Sequence, residues 1–163
     1  MHHVLYRVLG SNRDMEDVVQ DAFVQIFRSL GSYRGEASLS RWCCTIAMRA
    51  AYAAIDRRRR APSGTEDAAE LHDDGPGLVE RLELHHAAAR LYRALERIDD
   101  KHRVAFALAI IDERPLQEVA ELTESSVSAV KTRVFRARKE LLRRAAKDPV
   151  LSSYLGQLRE DSP

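Results

Sequence analysis

Apolar residues recur three or four positions apart along nearly the whole chain, as in Val18, Val19, Phe23, Ile26, Phe27 and Leu30, and no stretch keeps the strict alternation of a half-buried strand. The pattern predicts an all-α protein. A first helix over residues 2 to 9 stops at Gly10. Ser11 or Asn12 then caps a second that carries Asp14, Glu16 and Asp17 in its first turn, where the helix dipole favours acids, and runs to about Leu30. Gly31 to Ser38 reads as a loop, and Ser38 caps a helix from Leu39 to about Arg59. Further helices are predicted from Leu78 to about Arg97, from Asp100 to Asp112, from Pro115 to about Leu122, from Ser126 to Leu141, and from Pro149 to about Leu158.

The periodicity lapses between residues 61 and 77, where Pro, Gly, Ser and acids replace apolar side chains, the composition of a solvated connector. The predicted architecture is therefore two small helical domains, 1–60 and 78–163, joined by a flexible acidic linker over 61–77. With 163 residues and 45% hydrophobic side chains, the chain has enough apolar surface for a real core.

Charge sharpens this picture. The net charge is only +1, yet Arg41, Arg49 and Arg57 to Arg60 stand against Asp56 alone, Glu66 to Glu80 form an acidic block, and Lys131 to Lys147 is basic with Glu140 its sole acid. Two basic patches thus flank an acidic segment, which is expected to screen them. No apolar run approaches the roughly 20 residues of a membrane span, and the N-terminus lacks a signal-peptide pattern. The reading is a cytoplasmic protein without membrane insertion. Cys43 and Cys44, adjacent beside Trp42 in an apolar run, read as small core residues, with Trp42 a core anchor and a vicinal redox pair the alternative. The six histidines lack metal-ligand spacing, and neither a nucleophile motif nor a Gly-rich phosphate loop is present. No catalytic residue, metal or cofactor is expected, and the chain is not read as an enzyme.

Placing the residues of the Ser126 to Leu141 helix at 100° intervals gathers Val127, Val130, Val134, Ala137 and Leu141 into one packing stripe. Ser128, Thr132, Phe135, Arg136 and Lys139 fall opposite, with Lys131 and Arg133 at the flanks. The short helix LQEVAEL ends a few residues earlier, which is the spacing of a helix-turn-helix whose second helix enters the major groove. Lys131, Thr132 and Arg136 suit base edges, while Arg133, Arg138 and Lys139 suit phosphates. A basic helix that is merely solvated, or that meets a partner protein, fits the same pattern.

Two longer stretches carry a family resemblance. DMEDVVQDAFVQIFRSLGSYRGEASLSRWCCTIAMRA resembles region 2 of the group IV, extracytoplasmic-function (ECF) sigma factors of the sigma-70 family, and LERIDDKHRVAFALAIIDERPLQEVAELTESSVSAVKTRVFRARKEL resembles their region 4. The resemblance implies a promoter-specificity subunit for transcription initiation that binds core RNA polymerase, with region 2 opening the minus-10 element and region 4 reading the minus-35 element. Asp14, Asp17, Gln20 and Asp21, a polar face opposite the apolar Val18, Val19, Phe23 and Ile26, then match the surface that docks on the clamp helices of the polymerase β′ subunit. Tyr33, Arg34, Glu36, Ser38, Arg41 and Arg49 match the element that captures the minus-10 strand. Lys131, Thr132, Phe135 and Arg136 match the minus-35 readers, on the outward face already found from spacing. An anti-sigma factor is the expected regulatory partner.

The chain departs from the family pattern in four places, with Arg49 where Asn is usual, Ala53 where Asp is usual, Glu124 where Gly is frequent and Ala129 where Thr is usual. Its N-terminus is also shorter than the family's, so an incomplete region 2 is expected. A stand-alone helix-turn-helix regulator, or a truncated decoy that binds polymerase without opening DNA, are the competing readings.

Overall fold

The computed structural model describes residues 1–10, 15–60 and 78–152, all helix, turn and loop with no strand among them. The chain order is α1 (His2–Leu9), α2 (Met15–Ser29), a 3-10 turn (Leu30–Ser32), α3 (Leu39–Arg60), α4 (Leu78–Leu95), α5 (Asp100–Phe106), α6 (Leu116–Leu122) and α7 (Val127–Ala145). The predicted helices are present within a few residues of their expected ends. Asp14, the Ser11 and Asn12 caps, the connector 61–77 with its acids, and the end of the last helix lie outside the described residues. None of the described helices is long and apolar enough to cross a membrane.

The predicted Asp100 to Asp112 helix is one continuous rod with a change of pitch. After Phe106 it widens into a π turn over Ala107–Ile111, and the Asp112 amide donates to the Ala107 carbonyl at 2.9 Å. The extra residue per turn keeps Ala107 and Leu108 buried while Asp112, its side chain only 5% exposed, comes to 3.0 Å from His3 Nε2 and 4.0 Å from Arg7 Nε on α1.

The first core cluster is continuous across both halves of the chain. Val4, Leu5 and Val8 of α1, Val18 and Ala22 of α2, and Ala47, Met48 and Ala51 of α3 join Val104, Leu108, Val119 and Val130 from the second half. A second cluster, with Leu95, Ile98, Phe106, Ala137 and Leu141, belongs to the second half alone. Polar groups seal the junction. The last carbonyls of α1 have no partner within the helix, and the second half supplies one for each: Tyr92 donates its hydroxyl to Arg7 O at 2.8 Å, while Arg103 donates to Val8 O at 3.4 Å and Leu9 O at 3.3 Å. Arg103 is 2% exposed, and burial lowers its guanidinium pKa against the opposing field of Glu96. The two helical units are therefore packed on one another rather than held apart.

Candidate nucleic-acid interface

The helix-turn-helix is built by capping. Thr123 donates its hydroxyl to Val119 O at 2.7 Å and the Ser125 amide donates to Ala120 O at 2.8 Å, which ends α6. The Ser126 side chain then accepts the Ala129 amide at 3.1 Å and starts α7. Between them Glu124 sits at φ 49°, the left-handed conformation that glycine adopts without cost. The turn keeps its geometry with a side chain in place, and that side chain points at Arg49 of α3.

On α7, Val130, Ala137 and Leu141 are buried with Val127 and Val134 partly so, as the 100° spacing required. Lys131, Thr132, Phe135, Arg136 and Lys139 are exposed, Phe135 to 67%. Glu140 is taken up by Arg143 and Arg144, both at 2.7 Å, and the Arg143 hydrogen bond holds its carboxyl down at about 2. Among the described residues, Lys131, Arg133, Arg136 and Lys139 meet no carboxylate within ion-pair distance. Arg133 and Arg138 are half-buried flanks, with Arg133 turned toward Tyr52 of α3, whose phenol burial pushes up to about 12 against the pull of that cation. A groove of about 400 Å³ runs along this face, lined by Lys101, His102, Ser126, Ser128, Thr132 and Arg136. Lys101 and His102 join from the first turn of α5. Helical periodicity carried no signal for them, because their neighbours on α7 lie some thirty residues away in sequence.

The second group of predicted residues lies on the loop before α3 and along α3 itself. Tyr33 donates its hydroxyl to Ala37 O at 2.7 Å, closing the loop around Gly35 at φ 74°, and Ser38 Oγ accepts the Arg41 amide at 3.3 Å to begin α3. Arg34, Glu36 and Ser38 are exposed at the loop rim. Trp42 departs from expectation. It is half-buried rather than a core anchor, and its ring lies 5.2 Å from that of Tyr33 at a 48° tilt. Cys44 is buried, Cys43 is half-buried, and both are free thiols. Arg41 and Arg49 leave the loop group and reach across to the second half, Arg41 to Glu121 at 2.7 Å and Arg49 to Glu124.

The third group is on α2. Asp17, Gln20 and Asp21 are exposed on one side, and Asp21 meets Arg57 at 3.5 Å. Phe23, expected on the core face, is 48% exposed, as Phe27 is to 71% and Leu30 to 48%. Met15, Val18, Ala22 and Ile26 already fill the packing stripe, so Phe23 and Phe27 are rotated past its edge, their ring centroids 6.4 Å apart. At 100° per residue Gln20, Val24 and Phe27 fall within an arc of about 60° beside Asp17, which makes one mixed apolar and acidic surface. The sequence reading named its acids and missed its aromatics.

The chain is similar over most of its length to proteins of one family. Residues 1–61 match the family model for sigma-70 region 2, and residues 88–141 match that for sigma-70 region 4. The chain is 32% identical over 137 residues to the ECF RNA polymerase sigma-E factor of Escherichia coli, covering 78% of this chain and 72% of that protein. It is 30% identical over 163 residues to the ECF RNA polymerase sigma factor SigW of Bacillus subtilis, covering 91% and 83%. Among solved structures it shares the fold of CnrH, solved with the cytosolic domain of CnrY, at a TM-score of 0.62 and 24% identity over 90% of this chain and 80% of that one. The sigma factor RpoE of Bartonella quintana, solved with the anti-sigma factor NepR, matches at 0.62 and 19% identity over 90% of each.

Proposed function

The chain belongs to the ECF sigma factors of the sigma-70 family, and we propose that it divides as residues 1–60 for region 2, 61–77 for the connector and 78–163 for region 4, with the three groups described above as its working surfaces. It is a subunit that redirects core RNA polymerase, and it acts without a catalytic step of its own. The observation that carries the assignment of surfaces is the outward face of α7. Lys131, Thr132 and Arg136 offer donors and Phe135 offers apolar contact to base edges at the minus-35 element, while Arg133, Arg138 and Lys139 neutralise phosphates and give binding its salt dependence. Lys101 and His102 extend that track along the groove.

At the minus-10 element the paired rings of Tyr33 and Trp42 supply a stacking surface for a base drawn out of the duplex, with Arg34, Glu36 and Ser38 at the rim and Arg41 and Arg49 along the strand. Asp17, Gln20 and Asp21, together with exposed Phe27, form the dock for the β′ clamp helices, an aromatic anchor ringed by polar groups. Asp14 belongs to the same proposal from sequence alone. A protein of the same fold, the sigma factor RpoE, is solved with the anti-sigma factor NepR, which supports an anti-sigma factor as the regulator of this chain in the cytoplasm. Reconstitution with core polymerase on a promoter library tests the whole. Specific transcripts that require both proteins are expected. Sequence-specific DNA binding by the free chain without transcription identifies a stand-alone regulator, and polymerase binding without initiation identifies a decoy.

A further inference from the structure

Two of the arginines that region 2 offers to DNA, Arg41 and Arg49, are occupied by carboxylates of region 4. Arg41, Arg49 and Arg59 lie with Tyr52 within about 80° of the same side of α3, a stripe that spans roughly 27 Å at 1.5 Å per residue. Arg41 meets Glu121 at 2.7 Å, Arg49 meets Glu124, and Arg59 meets Asp100 at 3.7 Å. Arg58, about 100° round the helix from Arg59 and off the stripe, meets Glu96 at 3.8 Å. These four acids come from the end of α4, the start of α5, the end of α6 and the turn before α7, so they form an edge only in the folded region 4.

Two of the family departures meet here. Arg49 and Glu124, each unusual at its position, are partners across 75 residues of chain. Glu124 holds a left-handed conformation that a glycine would adopt without strain, so nothing in the turn itself calls for a carboxylate.

We infer that Asp100, Glu121 and Glu124 of the acidic edge of region 4 stand in for DNA phosphates on the arginine stripe of region 2 in the free protein. The inference rests on the proposed DNA role of Arg41 and Arg49. The buried junction at Arg103, Tyr92 and the shared core holds the two regions together, and the acidic edge decides what the stripe can bind while they are closed. A strand of DNA must compete with three carboxylates already in place on the stripe, which lowers its apparent affinity by the fraction of arginines left open. Asp99 lines the groove on the outward face of α7, yet among the described residues Lys131, Arg136 and Lys139 meet no carboxylate within ion-pair distance, so the closed form occupies the stripe of region 2 and leaves those cations open.

The test is a double-mutant cycle on the free, full-length chain. Its readout is fluorescence anisotropy with a short single-stranded oligodeoxynucleotide of mixed sequence at low ionic strength, with circular dichroism to verify folding. E121Q/E124Q is expected to tighten binding by about three- to tenfold, the range two exposed ion pairs allow. The same two substitutions placed in an R41A/R49A background are expected to change it less than twofold. Equal tightening in both backgrounds is a general charge effect and overturns the inference, as does no tightening in either. If R41A/R49A fails to weaken binding in the E121Q/E124Q background, the arginines do not face DNA, and the minus-10 assignment falls with the inference. Transcription with core polymerase would still stand or fall by its own assay.

Discussion

Gly10 offers the sharpest test that α1 is seated on the second half of the chain. Its backbone lies at φ 75° and ψ 175°, a region that only glycine occupies readily, and a side chain there costs of order 1–3 kcal/mol. Space is the second obstacle. A Cβ at Gly10 would lie 2.9 Å from Cγ of Tyr92 and 3.0 Å from Cδ1, and the ring cannot simply swing away because its hydroxyl is tied to Arg7 O at 2.8 Å. Overpacking of this kind adds about 1–3 kcal/mol, so Gly10→Ala is expected to destabilise by about 4 kcal/mol. Gly35 supplies the control. It shares the positive φ, at 74°, but a Cβ there meets no atom within 4 Å, so Gly35→Ala carries the conformational cost alone, about 1 kcal/mol. Urea unfolding followed by circular dichroism gives both differences from the shift in midpoint at constant slope. Pairing Gly10→Ala with Tyr92→Leu should recover 1–3 kcal/mol relative to the sum of the single changes, the coupling expected of side chains in contact. A Gly10→Ala cost no larger than that of Gly35→Ala, with no coupling to Tyr92, would refute the packing of region 2 against region 4.

Four further outcomes are expected. Tyr52 and Tyr92 both have phenols pushed up to about 12 by burial; below pH 10 both states hold the proton, and between pH 10 and 12 the unfolded chain ionises first, so up to about 2.7 kcal/mol of stability per tyrosine is lost across that window. Ultraviolet titration should accordingly show two of the five tyrosines ionising late, and a single transition near 10 counts against the burial. Ser126→Ala removes the cap of α7 and should cost about 1 kcal/mol in thermal unfolding; no loss would mean that the hydroxyl does not hold the helix start. Phe27→Ala should leave stability within about 0.5 kcal/mol and weaken core polymerase binding at least about tenfold, whereas unchanged affinity removes Phe27 from the dock. Lys139→Ala should reduce the slope of log affinity against log salt for minus-35 duplexes by about one, while Arg136→Ala should relax sequence preference; identical salt slopes and preferences would place neither at DNA.

The helices and the two faces of α7 were legible because they depend on residues three and four apart. Val130, Ala137 and Leu141 sit inside and Phe135 and Arg136 outside for reasons contained in one turn of chain. Phe23 was misplaced because a pattern of apolar residues does not say which stripe wins when two compete. Met15, Val18, Ala22 and Ile26 are aligned more closely, and they took the core. Lys101 and His102 were invisible for a different reason: a groove formed between the first turns of two helices has no period.

The partners of the arginines were harder still to foresee. Counting along the chain leaves Arg41, Arg49 and Arg57 to Arg60 opposed by Asp56 alone, and assigns the nearby acidic connector to screen them. Among the described residues, which do not include that connector, Asp56 meets Arg60 at 2.6 Å and Asp21 meets Arg57. The others are met from Glu96, Asp100, Glu121 and Glu124, residues that look like ordinary exposed acids in their own helices and turns. The pairing of these arginines thus depends on how the two halves are docked, which no local window of sequence contains. Any separation of the two halves would expose a basic stripe and an acidic edge together. The open form therefore gains most where a polyanion is present to take the stripe and a basic surface to take the edge. A complex of polymerase with promoter DNA offers both kinds of surface, and free DNA offers one.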